Sequence, residues 1–425
     1  MAFYALIDGN NFYCSCERIF KPSLQGKPLV VLSNNDGCII SRSQEAKDLG
    51  VRMGLPAFKL RDLAGAQNVH IYSSNYTLYG DISARVYNSL AELLPIVEPY
   101  SIDENFADVS LFPTSELVPL GQHVRRTLLR WTKIPTCVGL AATKTLAKLA
   151  NKVAKRDTAL GGVLAITSEA ERREILAHFP VEDVWGVGRQ HRKRLALQGV
   201  HTALQLAEKP DWWVRGTFGT VTAERMVREL RGEACLGMLE TGAIAKNICC
   251  SRSFGLNLAS ESHITEAVTT FAYRVGEKLR EQGAAARVLT VFLHTNAFRA
   301  DLPQYGSSVA IPLPVATGDS AELVAYARAA LRSLYKPHYL YKKAGVIVTG
   351  ISPVDGVTGG LFDAADRARA GKVSAAMDAL NRKYGQGTVR LAVQGTDKAF
   401  WHPKFERRTP RYTTQWRDLP QAWME

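Results

Sequence analysis

The sequence has few of the cysteine and histidine patterns that bind metals or form disulfides. Its 425 residues contain 7 Cys, an odd number, and no C-x-x-C pair. His70, His123 and His294 lack the spacing of metal ligands. These absences argue against a zinc site and a disulfide framework, and a reducing cytoplasm is the expected location.

Long apolar segments, a leader peptide and a P-loop are missing as well. No stretch approaches the roughly 18 uncharged apolar residues of a membrane span. The first residues reach Asp8 without a basic region, so a signal peptide is not expected. The pattern G-x-x-x-x-G-K-[ST] does not occur, which argues against a P-loop motor. We expect several globular domains and no membrane partner.

Positive charge is unevenly spread along the chain. The formal net charge is +13, yet the first 120 residues carry nine Lys and Arg against 13 Asp and Glu. From Gly121 to Leu160 there are nine basic residues and one acid, Asp157. An acidic first third joined to a basic remainder suggests that the basic part holds a polyanion. A solvated basic surface that keeps the protein soluble is the alternative.

Apolar segments and turn residues alternate with segments of helical spacing, which predicts a mixed α/β fold. Asn34-Asn35-Asp36-Gly37 follows Leu29–Leu32 and predicts a hairpin, and Asp103-Glu104-Asn105 predicts the tip of a second one. Further predicted elements are strands at 3–7, 96–101, 106–111, 287–294 and 346–348, helices at 43–49, 122–131, 144–155 and 320–334, a linker near 233–245 and an extended tail over the last 25 residues.

Two separated acidic segments are the first candidates for catalysis. Asp8 ends an apolar strand, and Asp103 and Glu104 lie in a hairpin about 95 residues later. Carboxylates from adjacent strands can hold two divalent cations that activate a hydroxyl and bind phosphate oxygens. The simpler interpretations are that Asp8 caps the next helix and that Asp103 and Glu104 lie in a solvated turn. Because neighbouring strand residues face opposite sides, Asp103 and Glu104 share a site only if the turn re-aims one of them.

Phosphate binding also requires donors and cations. Ser41, Lys47 and Lys155 are candidates if they face the carboxylates, since a hydroxyl and two ammonium groups can each bind phosphate. A solvated surface lysine is the alternative for each cation.

A glycine-containing turn before a basic helix predicts a helix-hairpin-helix element. Trp185-Gly186-Val187-Gly188 precedes Arg189, Arg192, Lys193 and Arg194. Glycines let backbone N–H groups approach a phosphate, which gives a sequence-independent grip on nucleic acid. An ordinary packing corner between two helices is the alternative.

Several motifs together resemble one family. The segment from Tyr4 to Glu17 resembles the first motif of Y-family translesion DNA polymerases, and Tyr100-Ser101-Ile102-Asp103-Glu104 resembles their second. Ser251-Arg252-Ser253-Phe254-Gly255 is similar to the start of their little-finger domain. The UmuC branch is the best match because of Leu32-Ser33-Asn34-Asn35-Asp36-Gly37-Cys38, Asp378-Ala379-Leu380-Asn381, Tyr384-Gly385-Gln386-Gly387-Thr388 and the tail from Trp401 to Thr414.

The resemblance implies a role for each matching residue. Asp8, Asp103 and Glu104 would be catalytic and hold two Mg²⁺ with the backbone carbonyl of Gly9. Tyr13 would be the steric gate against a 2′-hydroxyl, with Phe12 beside it. The triphosphate would contact Ser41, Lys47 and Lys155, although many members have Tyr where this chain has Gln44 and Arg where it has Lys47. The DNA contacts implied by the resemblance and the hairpin are Gly186, Gly188, Arg189, Arg192, Lys193 and Arg252.

The resemblance also implies an α/β, multidomain right-hand fold with a ferredoxin-like palm. The expected parts are the palm (1–22 and 78–169), small fingers (23–77), a helix-hairpin-helix thumb (170–236), a linker (237–245), an α/β little finger (246–350) and a C-terminal partner-binding region (351–425).

The implied function is error-prone, template-directed DNA synthesis past lesions in the SOS response. The implied partners are primer-template DNA, deoxynucleoside triphosphates, a processed UmuD-type dimer and a RecA filament. Leu361 and Phe362 match part of a sliding-clamp peptide whose Gln is absent here, and a self-packed apolar loop is the alternative.

Two other functions remain open from the sequence. A non-catalytic DNA-binding scaffold would use the basic hairpin but would not need the three carboxylates. A nucleotidyl cyclase would use two metals but would not need the basic C-terminal half. Strong, salt-dependent DNA binding would separate the cyclase from both DNA-binding functions.

Overall fold

The computed structural model describes residues 2–63, 65–238, 244–359, 363, 366–395 and 400–419. No helix in these ranges combines the length and apolarity that a membrane crossing requires. The strands are β1 (Tyr4–Gly9), β2 (Leu29–Leu32), β3 (Ile39–Arg42), β4 (His70–Ser73), β5 (Ile96–Pro99), β6 (Glu104–Asp108), β7 (Thr136–Ala141), β8 (Val163–Ile166), β9 (Asn247–Leu258), β10 (Ala284–Thr295), β11 (Gly306–Thr317) and β12 (Tyr341–Pro353).

Helices lie between most of these strands, as the mixed pattern of the sequence predicts. They are α1 (Phe12–Phe20), α2 (Gln44–Asp48), α3 (Tyr76–Leu93), α4 (Leu117–Thr132), α5 (Lys144–Arg156), α6 (Glu169–His178), α7 (Arg189–Leu197), α8 (Ala203–Ala207), α9 (Asp211–Phe218), α10 (Val221–Leu230), α11 (Glu261–Glu281), α12 (Ser320–Leu334) and α13 (Arg367–Tyr384).

The chain divides into two compact units. Unit 1 comprises residues 1–33, 37–241 and 407–425, and unit 2 comprises residues 34–36 and 242–406. The division after residue 241 falls inside the stretch expected to be a linker. The last residues of the chain therefore belong to the same unit as its first residues.

A five-stranded sheet forms the centre of unit 1, in the order β5-β6-β1-β7-β8. β1 runs antiparallel to both β6 and β7, and Asp8 lies opposite Glu104 on one side and Cys137 on the other. Ala5, Leu6 and Ile7 are almost completely buried, which explains why this strand is an unbroken apolar run. Its central position brings the end of β1 beside the β5–β6 turn.

A three-stranded sheet in the order β3-β2-β4 carries the first predicted hairpin. β2 and β3 pair antiparallel, and β2 pairs parallel with β4. The connecting turn holds Asn35 and Asp36 at positive φ, a conformation that asparagine and aspartate tolerate better than most residues. The hairpin prediction is confirmed.

The segment that follows β8, from α6 to α10, is helical and contains the expected helix-hairpin-helix shape. A short turn at Val181–Asp183 leads through Gly186, whose φ is +92°, to Gly188 at the N-cap of α7. Trp185 packs edge-on against Tyr100 at 5.5 Å between ring centroids. This contact anchors the hairpin beside the turn between β5 and β6.

Unit 2 is a four-stranded antiparallel sheet, β11-β10-β12-β9, with α11 and α12 packed against it. Its core includes Phe254, Phe271 and Tyr341, all buried. α13 is joined to α11 by a two-pronged ion pair in which Arg280 donates to both oxygens of Asp378 at 2.7 Å. The motif from Asp378 to Asn381 therefore attaches α13 to the sheet domain.

Most predicted elements are found, with differences at their ends. The helix expected at 320–334 has these bounds, whereas the strand expected at 106–111 is β6, which begins at Glu104 and ends at Asp108. Glu104 and Asn105 are strand residues because they pair with Asp8 and Ile7, which no local pattern could show. The described part of the tail has a single short 3₁₀ turn at Trp416–Asp418.

The close packing of α5 on β7 gives the first testable prediction. A Cβ at Gly139 would lie 2.2 Å from both the Ala147 carbonyl oxygen and the Asn151 nitrogen. We expect Gly139→Ala to lower the free energy of unfolding by about 3 kcal/mol, because rigid backbone must move apart. Urea denaturation of the purified chain measures this loss.

Gly80 in α3 provides the matched control. It is exposed, and no atom outside the backbone of its own helix lies within 4 Å of the place that a Cβ would take there. Gly80→Ala is therefore expected to stabilise the helix by about 0.5–1 kcal/mol. A loss below about 1 kcal/mol for Gly139→Ala would contradict the packing described.

Candidate functional site

The ends of β1 and of the β5–β6 hairpin place two carboxylates beside one cavity. The Gly9 N–H donates to the Asp103 carbonyl at 2.8 Å, which fixes the turn against the strand end. Asp8 and Asp103 both line a cavity of about 340 Å³. Carboxylates that are 95 residues apart in sequence therefore meet because β1 and β6 are neighbours.

Ser101 shapes the turn that carries Asp103 and Glu104. Its hydroxyl accepts the N–H groups of Asp103 and Glu104 at 3.3 and 3.1 Å and donates to Asp103 Oδ1 at 2.7 Å. Asp103 precedes β6 and reaches the cavity, whereas Glu104 begins the strand and is directed to Lys148. Asp103 and Glu104 therefore do not both line the cavity.

A row of lysines on α5 faces these acids. Lys155 Nζ lies 2.5 Å from Asp8 Oδ1, and Lys148 Nζ lies 2.9 and 3.1 Å from the two oxygens of Glu104. One turn before Lys148, Lys144 forms a buried ion pair of 2.5 Å with Glu98. Residues four apart, or eleven apart, share one face of a helix, so α5 presents its cations to the sheet together.

The cavity gathers most of the expected site residues. It is lined by Asp8, Gly9, Phe12, Tyr13, Ser41, Lys47, Asp103 and Lys155, together with Asn11, Ile40, Arg42, Met53 and Ile102, which the sequence reasoning did not select. Arg42 directly follows Ser41 at the end of β3, and its guanidinium donates to the Val51 carbonyl at 2.6 Å. Arg42 could have been selected from the sequence, because it is a basic residue directly beside the candidate Ser41.

The charges around the cavity favour an anionic occupant. Burial raises the pKa of Asp8 to about 6, although Lys155 opposes the shift. Burial, followed by the nearby charges of Arg42 and Lys155, lowers the pKa of Lys47. Three cations close to one another repel, and a polyanion would relieve that repulsion.

The donor atoms at the cavity suit a hard cation such as Mg²⁺. Asp8 and Asp103 offer carboxylate oxygens, and Gly9 offers a backbone carbonyl, which are the ligands that Mg²⁺ prefers. In the described ranges no three His, Cys, Asp or Glu side chains are already grouped as a metal cage. Glu104 completes such a set only by leaving its ion pair with Lys148.

Helix α1 supports the cavity with a stack of aromatic rings. The Tyr13 ring lies parallel to the Tyr79 ring at 4.6 Å, and the Phe12 ring is tilted at 6.0 Å from Tyr13. Phe12 is buried, whereas Tyr13 is partly accessible. On the inner side of α1, the Cys14 N–H donates to Ser41 Oγ at 3.4 Å, and burial raises the pKa of the Cys14 thiol to about 12.

Gln44, where many family members have Tyr, is not part of the cavity. Its amide donates to Asp48 at 2.9 Å along α2. Ser41 is buried at the edge of the cavity, with its hydroxyl 3.5 Å from the Asn11 carbonyl.

The remaining expected contacts lie elsewhere in the chain. Arg189, Arg192 and Lys193 are exposed on α7, and Arg192 pairs with Glu182 at 2.5 Å. Arg252 is exposed on β9 in unit 2. Leu361 and Phe362 lie outside the described residues.

Glu17, a buried acid behind the aromatic stack, predicts how stability depends on pH. Burial raises its pKa from 4.5 to about 7, despite hydrogen bonds from the Tyr79 and Thr409 hydroxyls. Between these values the folded chain binds more protons than the unfolded chain, so stability falls as pH rises from about 4.5 to 7.

Glu17→Gln is expected to remove this component of the pH dependence. The free energy of unfolding of the variant, minus that of wild type, should be higher at pH 8 than at pH 4.5 by on the order of 2 kcal/mol. Urea denaturation at both pH values measures the change. Glu92→Gln, at an exposed position of α3, is the control. Parallel pH curves for wild type and Glu17→Gln would show that Glu17 does not titrate as described.

Three family models match successive parts of the chain. The impB/mucB/samB family matches residues 7–152, and its C-terminal domain matches residues 245–361. A domain of unknown function matches residues 372–422. The first match includes Asp8, Asp103 and Glu104.

Curated relatives match almost the whole length of the chain. Protein UmuC of Salmonella typhimurium is 42% identical over 98% of this chain and 99% of its own, and MucB of Escherichia coli is 40% identical over 99% of each chain. DNA polymerase IV of Desulfatibacillum aliphaticivorans is 28% identical over 92% of this chain and 97% of its own.

A solved structure has the same fold. A Y-family DNA polymerase chimera superposes with a TM-score of 0.65 at 20% identity, covering 82% of this chain and 99% of its own. This likeness agrees with the right-hand polymerase architecture expected from the sequence. Together with the full-length matches, it shows that the chain belongs to the impB/mucB/samB family of Y-family DNA polymerases, in the UmuC branch.

Proposed function

We propose that this DNA-directed DNA polymerase carries out error-prone translesion synthesis in the SOS response by two-metal nucleotidyl transfer. The observation that carries the proposal is the single cavity that contains Asp8, Asp103, Tyr13 and Lys47. Carboxylates for metal, an aromatic ring for the sugar and cations for phosphate are the groups that a nucleotide-transfer site requires.

The metal ligands would be Asp8, the Gly9 carbonyl, Asp103 and Glu104. Two Mg²⁺ would lower the pKa of the primer 3′-hydroxyl and stabilise negative charge on the triphosphate. Lys148 holds Glu104 in place before the ions bind. Ser101 donates to one carboxylate oxygen of Asp103 and so orients this side chain, which lines the cavity.

The triphosphate would be held by Ser41, Lys47 and Lys155. Lys155 pairs with Asp8 in the structure and is close enough to the cavity to exchange that carboxylate for a phosphate oxygen. Lys47 is partly buried with a lowered pKa, and a bound anion would raise that pKa again. Lysine binds phosphate as a point charge and not as a two-pronged donor, so Arg42 is a further candidate beside it.

Tyr13 would act as the steric gate, with Phe12 packed beside it. Its ring rests on Tyr79 at 4.6 Å, so it cannot retreat from a bulky sugar substituent. A 2′-hydroxyl would meet this ring, which favours deoxynucleotides.

DNA would be held by the thumb hairpin and the little finger. Gly186 and Gly188 leave backbone N–H groups accessible, and Arg189, Arg192 and Lys193 add charge on α7. Arg252 would contribute from the little-finger sheet. We propose the same division of the chain into palm (1–22 and 78–169), fingers (23–77), thumb (170–236), linker (237–245), little finger (246–350) and C-terminal partner-binding region (351–425).

The expected partners follow from the UmuC-branch membership. They are a processed UmuD-type dimer and a RecA filament, with a sliding clamp through Leu361 and Phe362, and the location is the cytoplasm. Binding measurements with the UmuD-type dimer, the RecA filament and the clamp test the three proposed partners.

Primer extension with an Asp103→Asn variant tests the catalytic assignment. We expect Mg²⁺-dependent extension of a primer on an undamaged template to fall about a hundredfold or more, because a charged ligand is lost. Asp108→Asn, at the far end of β6 and outside the cavity, is the matched control. The UmuD-type dimer and activated RecA are added in parallel reactions.

The opposite result has a clear meaning. If wild type binds DNA but extends no primer in any of these reactions, the chain is a non-catalytic scaffold. Full activity of Asp103→Asn would show that the polymerase site lies elsewhere.

Tyr13→Ala tests sugar selection. We expect the ratio of kcat/KM for deoxynucleotide over ribonucleotide to fall by about 10- to 200-fold, since the variant removes the ring that meets the 2′-hydroxyl. Single-nucleotide insertion with each substrate measures the ratio. An unchanged ratio would exclude Tyr13 as the gate.

A further inference from the structure

The C-terminal segment returns to unit 1 and lies behind the aromatic stack of the cavity. We call residues 407–412 the C-terminal strap. The Arg407 N–H donates to Ser73 Oγ at 2.9 Å, and the Ser73 N–H donates to the Arg407 carbonyl at 3.1 Å. At the other end of the strap, the Tyr412 ring stacks on Phe20 of α1 at 4.6 Å. The strap therefore spans from β4 to α1.

Asn75 attaches the middle of the strap to α3. Its amide nitrogen lies 3.0 and 3.1 Å from the carbonyl oxygens of Thr409 and Pro410, and 3.1 Å from Thr409 Oγ1. Its amide oxygen accepts the Leu78 N–H and so caps the start of α3. One buried side chain thus joins the strap to the helix that carries Tyr79.

Glu17 completes the connection to the cavity. The Thr409 hydroxyl donates to Glu17 Oε1 at 3.3 Å, and the Tyr79 hydroxyl donates to the same oxygen at 2.6 Å. Glu17 and Tyr79 are both buried, with exposed fractions of 2% and 0%. Buried polar groups that share one network hold each other in a single arrangement.

We propose that the C-terminal strap, acting through Glu17, positions the Tyr79–Tyr13 stack and thereby sets how strictly the polymerase excludes ribonucleotides. This rests on the proposed steric gate. Tyr13 can exclude a 2′-hydroxyl only if Tyr79 does not move, and Tyr79 is fixed at its hydroxyl by Glu17. Thr409 and Asn75 are positioning residues, because they act on the gate through other side chains.

Two variants loosen the strap without removing the gate. Thr409→Val keeps the side-chain volume but removes the hydroxyl that reaches Glu17. Asn75→Asp keeps the oxygen that caps α3 but loses the N–H donors to the strap carbonyls. Thr414→Val is the matched control, since Thr414 is an exposed threonine just beyond the strap.

The first readout is hydrogen exchange of the full-length chain, which requires no catalytic activity. We expect the Arg407 amide and α1 to be protected in wild type and to exchange at least about tenfold faster in both variants, but not in Thr414→Val. Rapid exchange of the Arg407 amide in wild type, or equal protection of α1 in all variants, would overturn the proposal.

The second readout is the deoxynucleotide over ribonucleotide ratio of kcat/KM. We expect a fall of about threefold for Thr409→Val and about tenfold for Asn75→Asp, with kcat for deoxynucleotides retained. Loss of kcat with an unchanged ratio would mean that the strap serves stability alone and would overturn the proposal.

A double-variant comparison separates this inference from the steric gate itself. With Tyr13→Ala as background, Thr409→Val should have no further effect on the ratio. If Tyr13→Ala alone leaves the ratio unchanged, the gate assignment fails. If Tyr13→Ala lowers the ratio but the strap variants do not, only the strap proposal fails.

Discussion

The arrangement of the site depends on the face of α5 that meets the central sheet. Lys155 balances Asp8, Lys148 balances Glu104 and Lys144 balances Glu98. Without these cations Asp8 and Glu104, which lie opposite each other on neighbouring strands, would repel one another. α5 can supply them only because Gly139 lets it pack directly on β7. A glycine and a row of lysines together make an acidic strand end compatible with folding.

The same lysines connect folding with the proposed chemistry. In the structure each lysine pairs with a carboxylate. Under the proposed mechanism Asp8 and Glu104 would exchange their lysines for metal, and Lys155 would bind phosphate. The ion pairs are weak enough to exchange because Lys155 and Lys148 remain partly accessible to solvent, unlike Lys144. Lys144 is therefore structural, although its sequence context resembles that of Lys148 and Lys155.

Local patterns predicted some of the strands and helices, but not α3 or α10. They also supplied the candidate site residues, which are Asp8, Asp103, Glu104, Ser41, Lys47 and Lys155. The apolar run of β1, the Asn-Asp turn and the helical spacing of α5 are properties of short segments. Non-local pairing decided the rest. Glu104 belongs to a strand because it pairs with Asp8, and its carboxylate is held by Lys148. The contacts of Thr409 join residues nearly 400 positions apart, and no sequence period reports them.

Helix α1 has a consequence for redox chemistry. It presents Tyr13 to the cavity and turns Cys14 and Cys16 into the core, where both are fully buried. Burial raises the pKa of both thiols, so neither forms the thiolate that oxidants and alkylating agents attack. The two thiols that follow Tyr13 on this helix are thereby kept in an unreactive form.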